Sequence, residues 1–126
     1  MEKPLVCLVI ENDKDFRELI SAVLTRVGFE VDAVASGAHG IAAAASNSAI
    51  SLISLEPGLP DMDGHDVARA LRALTRAPLL FVTARTDQDD MLAAMASGAA
   101  AYLAKPFSPR ELARMAKDLV PLTQRR

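Results

Sequence analysis

Carboxylates, an amide, a hydroxyl and a lysine are spread along this sequence, each next to the end of a short apolar run. Glu11, Asn12 and Asp13 follow LVCLVI, Glu56 follows ISLISL, Thr83 and Ala84 close PLLFVTA, and Lys105 follows AYLA. Singly, each has a plain structural use, since an acid at a helix start complements the helix dipole and a lone lysine is usually solvated. If the runs are neighbouring parallel strands, the groups instead converge at the strands' carboxyl ends. Ligands and chemistry gather there in open α/β sheets. Other chemistries find little support. The single Cys7 lies inside the first apolar run, as a buried, inert thiol does. His39 and His65 lack partners at metal-ligand spacing. The glycines of Ser36-Gly37-Ala38-His39-Gly40 form neither a dinucleotide fingerprint nor a phosphate-binding loop. With no nucleophile–base pair in sight, a small enzyme on a doubly wound scaffold is disfavoured.

The elements that must position these groups alternate in type. Leu5–Ile10 is a continuous apolar run, expected of a strand buried on both faces, β1. From Asp13 to Val27, Phe16, Leu19, Ile20, Val23, Leu24 and Val27 recur at helical steps before Gly28, giving α1. Phe29–Val34 reads as a half-covered edge strand, β2, and Ser36–Ser46 as an Ala-rich helix interrupted by Gly40, α2. Ile50–Leu55 is β3, ended by a loop whose Pro57 and Pro60 forbid regular structure. Gly64–Leu74 is α3, with Val67, Ala68, Leu71 and Leu74 on one face, and Pro78–Thr83 is β4. Residues 86–97 give α4, opened by a Thr86 hydroxyl cap, with Met91, Leu92 and Met95 inward and Gly98 at its end. Ala101–Ala104 is a short β5. Residues 108–119 form α5, opened by the capping box Ser108-Pro109-Arg110-Glu111, with Leu112, Met115 and Leu119 inward. Five βα units joined by right-handed crossovers predict a mainly parallel sheet covered on both faces.

Composition narrows the functional classes. The 126 residues are 51% hydrophobic and 24% charged, and 14 Lys+Arg against 16 Asp+Glu leave a net charge of −2. That describes one globular domain without the field needed to hold a polyanion, so direct nucleic-acid binding is not expected. No apolar run approaches the roughly 20 residues of a membrane span, and the N-terminus makes a poor signal peptide. The expectation is a cytoplasmic protein without membrane contact.

Four segments resemble the receiver domains of bacterial two-component response regulators. They are LVIENDKDFREL, LPDMDG, PLLFVTAR and GAAAYLAKPFSPREL, in family order and spacing along nearly the whole chain. The resemblance implies a flavodoxin-like (βα)5 three-layer fold with a parallel five-stranded sheet of order 2-1-3-4-5. The domain then takes residues 1–122, with 123–126 a C-terminal tail or the start of a linker. It also implies a phosphorelay role, in which an aspartate after β3 accepts a phosphoryl group from a histidine kinase with the help of Mg²⁺; signalling rather than enzymatic turnover is the purpose. By position, Lys105 matches the family's lysine, Thr83, with Ala84 beside it, the switch hydroxyl, Tyr102 the aromatic rotamer switch, and Glu11 the first residue of the acidic pair. Gly58 matches the position that offers a carbonyl to the metal, and a cis Lys105–Pro106 bond is expected.

Two positions depart from the family's pattern. Glu56 stands where the phosphoacceptor aspartate belongs, and Asn12 where a metal-binding aspartate does. An amide oxygen ligates without charge, so Mg²⁺ affinity is expected to fall, and Asp13 next door points elsewhere. The extra methylene moves the carboxylate of Glu56 by about 1–1.5 Å, and a 1 Å error costs an in-line attack about 10²-fold. The expectation is an atypical receiver that is not phosphorylated conventionally and acts as a protein-interaction module. Glu56 either imitates the phosphorylated state or pairs with Lys105 and locks one conformation. The alternative is a working acceptor with weakened Mg²⁺ dependence. Expected partners are a histidine kinase, an output domain or another regulator. A homodimer through α4, β5 and α5 is also open, although Ala100 and Ala101 replace acids that commonly pair there with α5 cations such as Arg110, Arg114 and Lys117. Asp61 and Asp63 read as turn and helix-start residues before α3.

Overall fold

The computed structural model describes residues 4–121; the expected tail at 123–126 lies outside the described residues. The elements are β1 Leu5–Ile10, α1 Lys14–Val27, β2 Phe29–Val34, α2 Gly37–Ser46, β3 Ile50–Leu55, α3 Gly64–Leu74, β4 Leu79–Thr83, α4 Gln88–Ala96, β5 Ala101–Ala104 and α5 Pro109–Leu119. All strand pairs are parallel, in the order β2-β1-β3-β4-β5. This is the predicted flavodoxin-like sheet.

Strand residues point alternately to the two faces, so each central strand feeds two cores. Leu8, Ile10, Ile53, Leu55 and Phe81 pack with Val67, Ala68 and Leu71 of α3 and Ala44 of α2. Cys7, Val9, Leu52, Leu80 and Val82 pack with Ile20 and Leu24 of α1 and Leu112 and Ala116 of α5. Cys7 is fully enclosed, and that burial pushes its thiol pKa far up, in keeping with an inert residue. Among the described residues no helix is long and apolar enough to cross a membrane.

The boundaries differ from the sequence reading where polar residues cap. Asp13 and Ser36 stand before their helices, accepting from the N–H groups of Phe16 and His39. Thr86 does not cap α4; Asp87 does, accepting from the Asp90 N–H. Pro78 precedes β4, since its ring leaves no N–H for the ladder. Gly40 does not interrupt α2, because the helix lies so close to β1 that a Cβ there meets Ile10 Cδ1 at 2.4 Å. The larger correction concerns α4. Met91, Leu92 and Met95 are 40%, 60% and 45% exposed, and of the helix only Ala94 is buried. Ala94 joins the core that holds Phe81 and Tyr102, whose rings stack at 6.3 Å between centroids, with His65 tilted against Phe81 at 5.9 Å. Leu74 of α3 also turns outward, being 44% exposed.

Candidate functional site

The sheet extends past its strands at the carboxyl edge. The N–H of Glu11 donates to Val34 O, that of Glu56 to Ile10 O, and that of Lys105 to Thr83 O. These ladder bonds carry the three side chains into one pocket. Lys105 Nζ lies 2.7 Å from Glu11 Oε1 and 2.9 Å from Glu56 Oε1. The three side chains are only 8%, 2% and 11% exposed. The second oxygen of each acid is also engaged. Glu11 Oε2 accepts the Asp13 N–H at 3.0 Å, and Glu56 Oε2 accepts the Gly58 N–H at 2.8 Å. The Glu11 contact with Lys105 is an ion pair by distance, but its alignment falls short of a hydrogen bond, so Oε1 relies on charge attraction.

Burial raises the Glu11 pKa above the ordinary carboxylate value, and Lys105 and the Asp13 N–H only partly hold it down. Burial also opposes the Lys105 ammonium, yet the close contacts and negative charges of Glu11 and Glu56 outweigh it, and the lysine pKa stands above its usual value. Lys105 is thus firmly protonated between two acids. It also lies 4.3 Å from the centroid of Phe16, whose ring packs on Phe107 at 5.9 Å.

The remaining candidates stand around this core. Thr83 is buried, and its hydroxyl oxygen accepts the Arg85 N–H at 3.2 Å. The Tyr102 hydroxyl donates to the Arg85 carbonyl, so both residues hold the loop after β4. Burial, followed by the charges of Asp90 and Asp87, raises the Tyr102 pKa. Ala84 and Asn12 are exposed. Arg17 Nη1 donates to the backbone carbonyls of Glu11 and Asn12 at 2.9 and 3.4 Å. The Lys105–Pro106 peptide is cis, as expected. Among the described residues no group of three or more His, Cys, Asp or Glu side chains could hold a metal ion.

Sequence reasoning missed two contributors. Phe16 and Arg17 lie in the first turn of α1, where Phe16 reads as one of the helix's apolar positions; the signal was their place directly after the acidic turn. Asp61 also departs from its expected role. Its carboxylate accepts the N–H groups of Gly37 and Ala38, both at 3.0 Å, and so caps α2 rather than α3. Asp63 does cap α3, accepting from His65 and Asp66.

Residues 7–117 match the family described as the response regulator receiver domain. The transcriptional regulatory protein GltR of Pseudomonas aeruginosa is 38% identical over 120 residues, covering 93% of this chain and 49% of that protein. A two-component response regulator from Clostridium difficile is 28% identical with a TM-score of 0.88, over 94% of this chain and 98% of its own. The receiver domain of a sensor histidine kinase from Pseudomonas aeruginosa, solved with magnesium coordinated in its active-site cleft, is 29% identical with a TM-score of 0.84, over 94% of this chain and 98% of its own. This chain spans about half the length of the curated relatives it matches. With the 2-1-3-4-5 sheet and the cluster at its carboxyl edge, these matches make the chain a member of the response regulator receiver domain family.

Proposed function

We propose that this domain is an atypical receiver, a protein-interaction module of a two-component pathway whose phosphoacceptor position is held closed by an ion pair. The observation that carries this reading is the engagement of Glu56 on both oxygens, with Lys105 at 2.9 Å and the Gly58 N–H at 2.8 Å. An attacking carboxylate needs a free oxygen in line with the phosphorus, and the extra methylene of glutamate already displaces it. The same donor set does not fit a tightly held magnesium ion. Glu11 and Glu56 direct their oxygens at Lys105 and backbone N–H groups, and Asn12 adds no charge. Affinity for Mg²⁺ is therefore weak, and no step of the domain's action runs through the metal.

The partners of Glu56 favour one of the two roles open to it. A phosphoryl mimic engages the Thr83 hydroxyl as well as the lysine, whereas here that oxygen accepts the Arg85 N–H, and the hydrogen bonds of Glu56 go to Lys105 and Gly58. This supports a lock over a mimic. The domain then presents one fixed surface to a kinase, an output domain or another regulator, most plainly over the face of α4, β5 and α5, where α4 exposes Met91, Leu92 and Met95.

Phosphoryl labelling tests the reading. Incubated with acetyl phosphate or phosphoramidate and Mg²⁺, the intact protein gains no phosphoryl mass, while Glu56→Asp combined with Asn12→Asp gains one group. Wild-type labelling mapped to Glu56 would show instead a working acceptor. Failure of the double variant to label would mean that the surrounding pocket has also lost the chemistry.

A further inference from the structure

Two surfaces on opposite sides of the sheet, both apolar at the centre, complement each other in length and charge. Helix α1 and helix α5 cover one face and leave between them a groove of about 460 Å³. Leu19, Val23 and Ala113 line it, Arg26, Arg110 and Lys117 border it, and no acid is among its lining residues. On the other face α4 presents Met91, Leu92 and Met95 to solvent, with Asp87, Asp89 and Asp90 at its N-terminal end. Arg85 stands beside those acids and offsets part of their charge.

The dimensions also agree. Leu19 to Val27, Pro109 to Lys117 and Gln88 to Ala96 of α4 each span eight residue steps, about 12 Å of helix. Exposed apolar side chains of this size on a helix mark a contact surface. Positions 100 and 101, which precede Tyr102 in β5, are alanines and offer no acid to α5 across a two-fold dimer. The cations of α5 are left for another acidic surface, and α4 supplies one.

We infer that α4 of one copy of this chain docks head to tail into the α1–α5 groove of a second copy. A molecule cannot fill its own groove, since the two surfaces lie on opposite faces of its sheet. The contact is heterologous, so each added copy leaves one helix and one groove free, and assembly passes beyond a dimer unless a ring closes. Two short helix spans bury less than a standard interface of about 1,200–2,000 Å², so the association is weak, with an expected dissociation constant of roughly 0.1–1 mM.

Sedimentation equilibrium on the 126-residue chain tests this up to about 1 mM, at low and high salt. The expected result is an average mass that climbs past that of a dimer and falls as salt screens the pairs. The variant D89K/D90K and the variant R110E/K117E each lower the association constant at least about tenfold. Mixed in equal amounts they regain it, because each reversed surface then meets its complement. Leu92→Gln, which alters neither charge set, weakens assembly as well, and circular dichroism confirms that all variants fold. A wild type that stays monomeric to about 1 mM overturns the inference and gives the groove to a different protein. Assembly that stops at two and ignores the reversals overturns it in favour of a two-fold dimer, and a mixture that fails to recover overturns the pairing itself.

Discussion

Replacing Lys105 with methionine removes what is, among the described residues, the only cation paired with the carboxylates of Glu11 and Glu56, together with the ammonium over the Phe16 ring, while keeping most of the aliphatic stem. At separations of 2.7 and 2.9 Å and an effective dielectric near 20, each pair is worth about 6 kcal/mol of Coulomb attraction, much of it offset by taking three charges out of water. The variant loses the attraction and keeps the desolvation of two acids. A deficit of about 3–5 kcal/mol at neutral pH follows, or roughly 10–20 °C in Tm for a domain of this size. The deficit depends on pH in a defined sense. Burial already raises the Glu11 pKa, and losing Lys105 raises it further, so the folded variant takes up this proton more readily than the unfolded chain does. Its stability relative to wild type is therefore recovered at low pH and lost as pH rises through the raised value. Urea unfolding of both proteins at about pH 4.5 and 7.5 measures this. A deficit below about 1 kcal/mol at the higher pH, or one of equal size at both, would refute the reasoning. A further readout is magnesium, which stabilises the variant more than the wild type because the freed carboxylates can then ligate it.

Lys105 itself sets the alkaline limit. Its folded pKa is raised, so the stability it contributes is complete below the ordinary lysine value of 10.5 and is lost as pH rises through the raised one, which pH-dependent thermal melts will locate. Met95→Gln leaves stability within about 0.5 kcal/mol, whereas Ala94→Asp on the same helix costs about 3 kcal/mol or more because it buries a charge, both measured by urea unfolding. Gly64→Ala places a Cβ 2.3 Å from the Pro57 Cα and 2.4 Å from its carbonyl oxygen, and the forced shift of the loop costs about 1–3 kcal/mol in the same assay.

The sheet was readable because strands covered on both faces leave uninterrupted apolar runs, as in Cys7–Ile10, where all four residues are buried. Capped helix starts were readable to within a residue, since Asp13, Ser36 and Ser108 are polar and sit just before apolar periodicity. Helix α4 was misjudged for a physical reason. Periodicity identifies an apolar stripe but not what the stripe faces, and a helix rich in alanine can turn Ala94 inward and its larger residues out. The residue types of the site were legible, including the departures at Asn12 and Glu56. The pairing of Glu56 with Lys105 was one of the two roles open to it in the sequence, but the second pair of the same lysine, with Glu11, was not legible, because it depends on side-chain reach across the strands. Nor was the role of Phe16, which a helical pattern assigns to the core, or that of Asp61, whose partners lie 24 and 23 positions away.

That last contact gives the domain a built-in reporter. Asp61 belongs to the loop that carries Glu56 and Gly58 away from the sheet, and it grips the first two amides of α2, and those hydrogen bonds hold its carboxyl below the ordinary range. The amide protons of Gly37 and Ala38 point at a carboxylate they do not adjoin in sequence, and their resonances are expected to be displaced by it. Their chemical shifts register any displacement of the loop beside Glu56, so two amide peaks suffice to follow whether a bound partner, a cation or a substitution has disturbed the pocket.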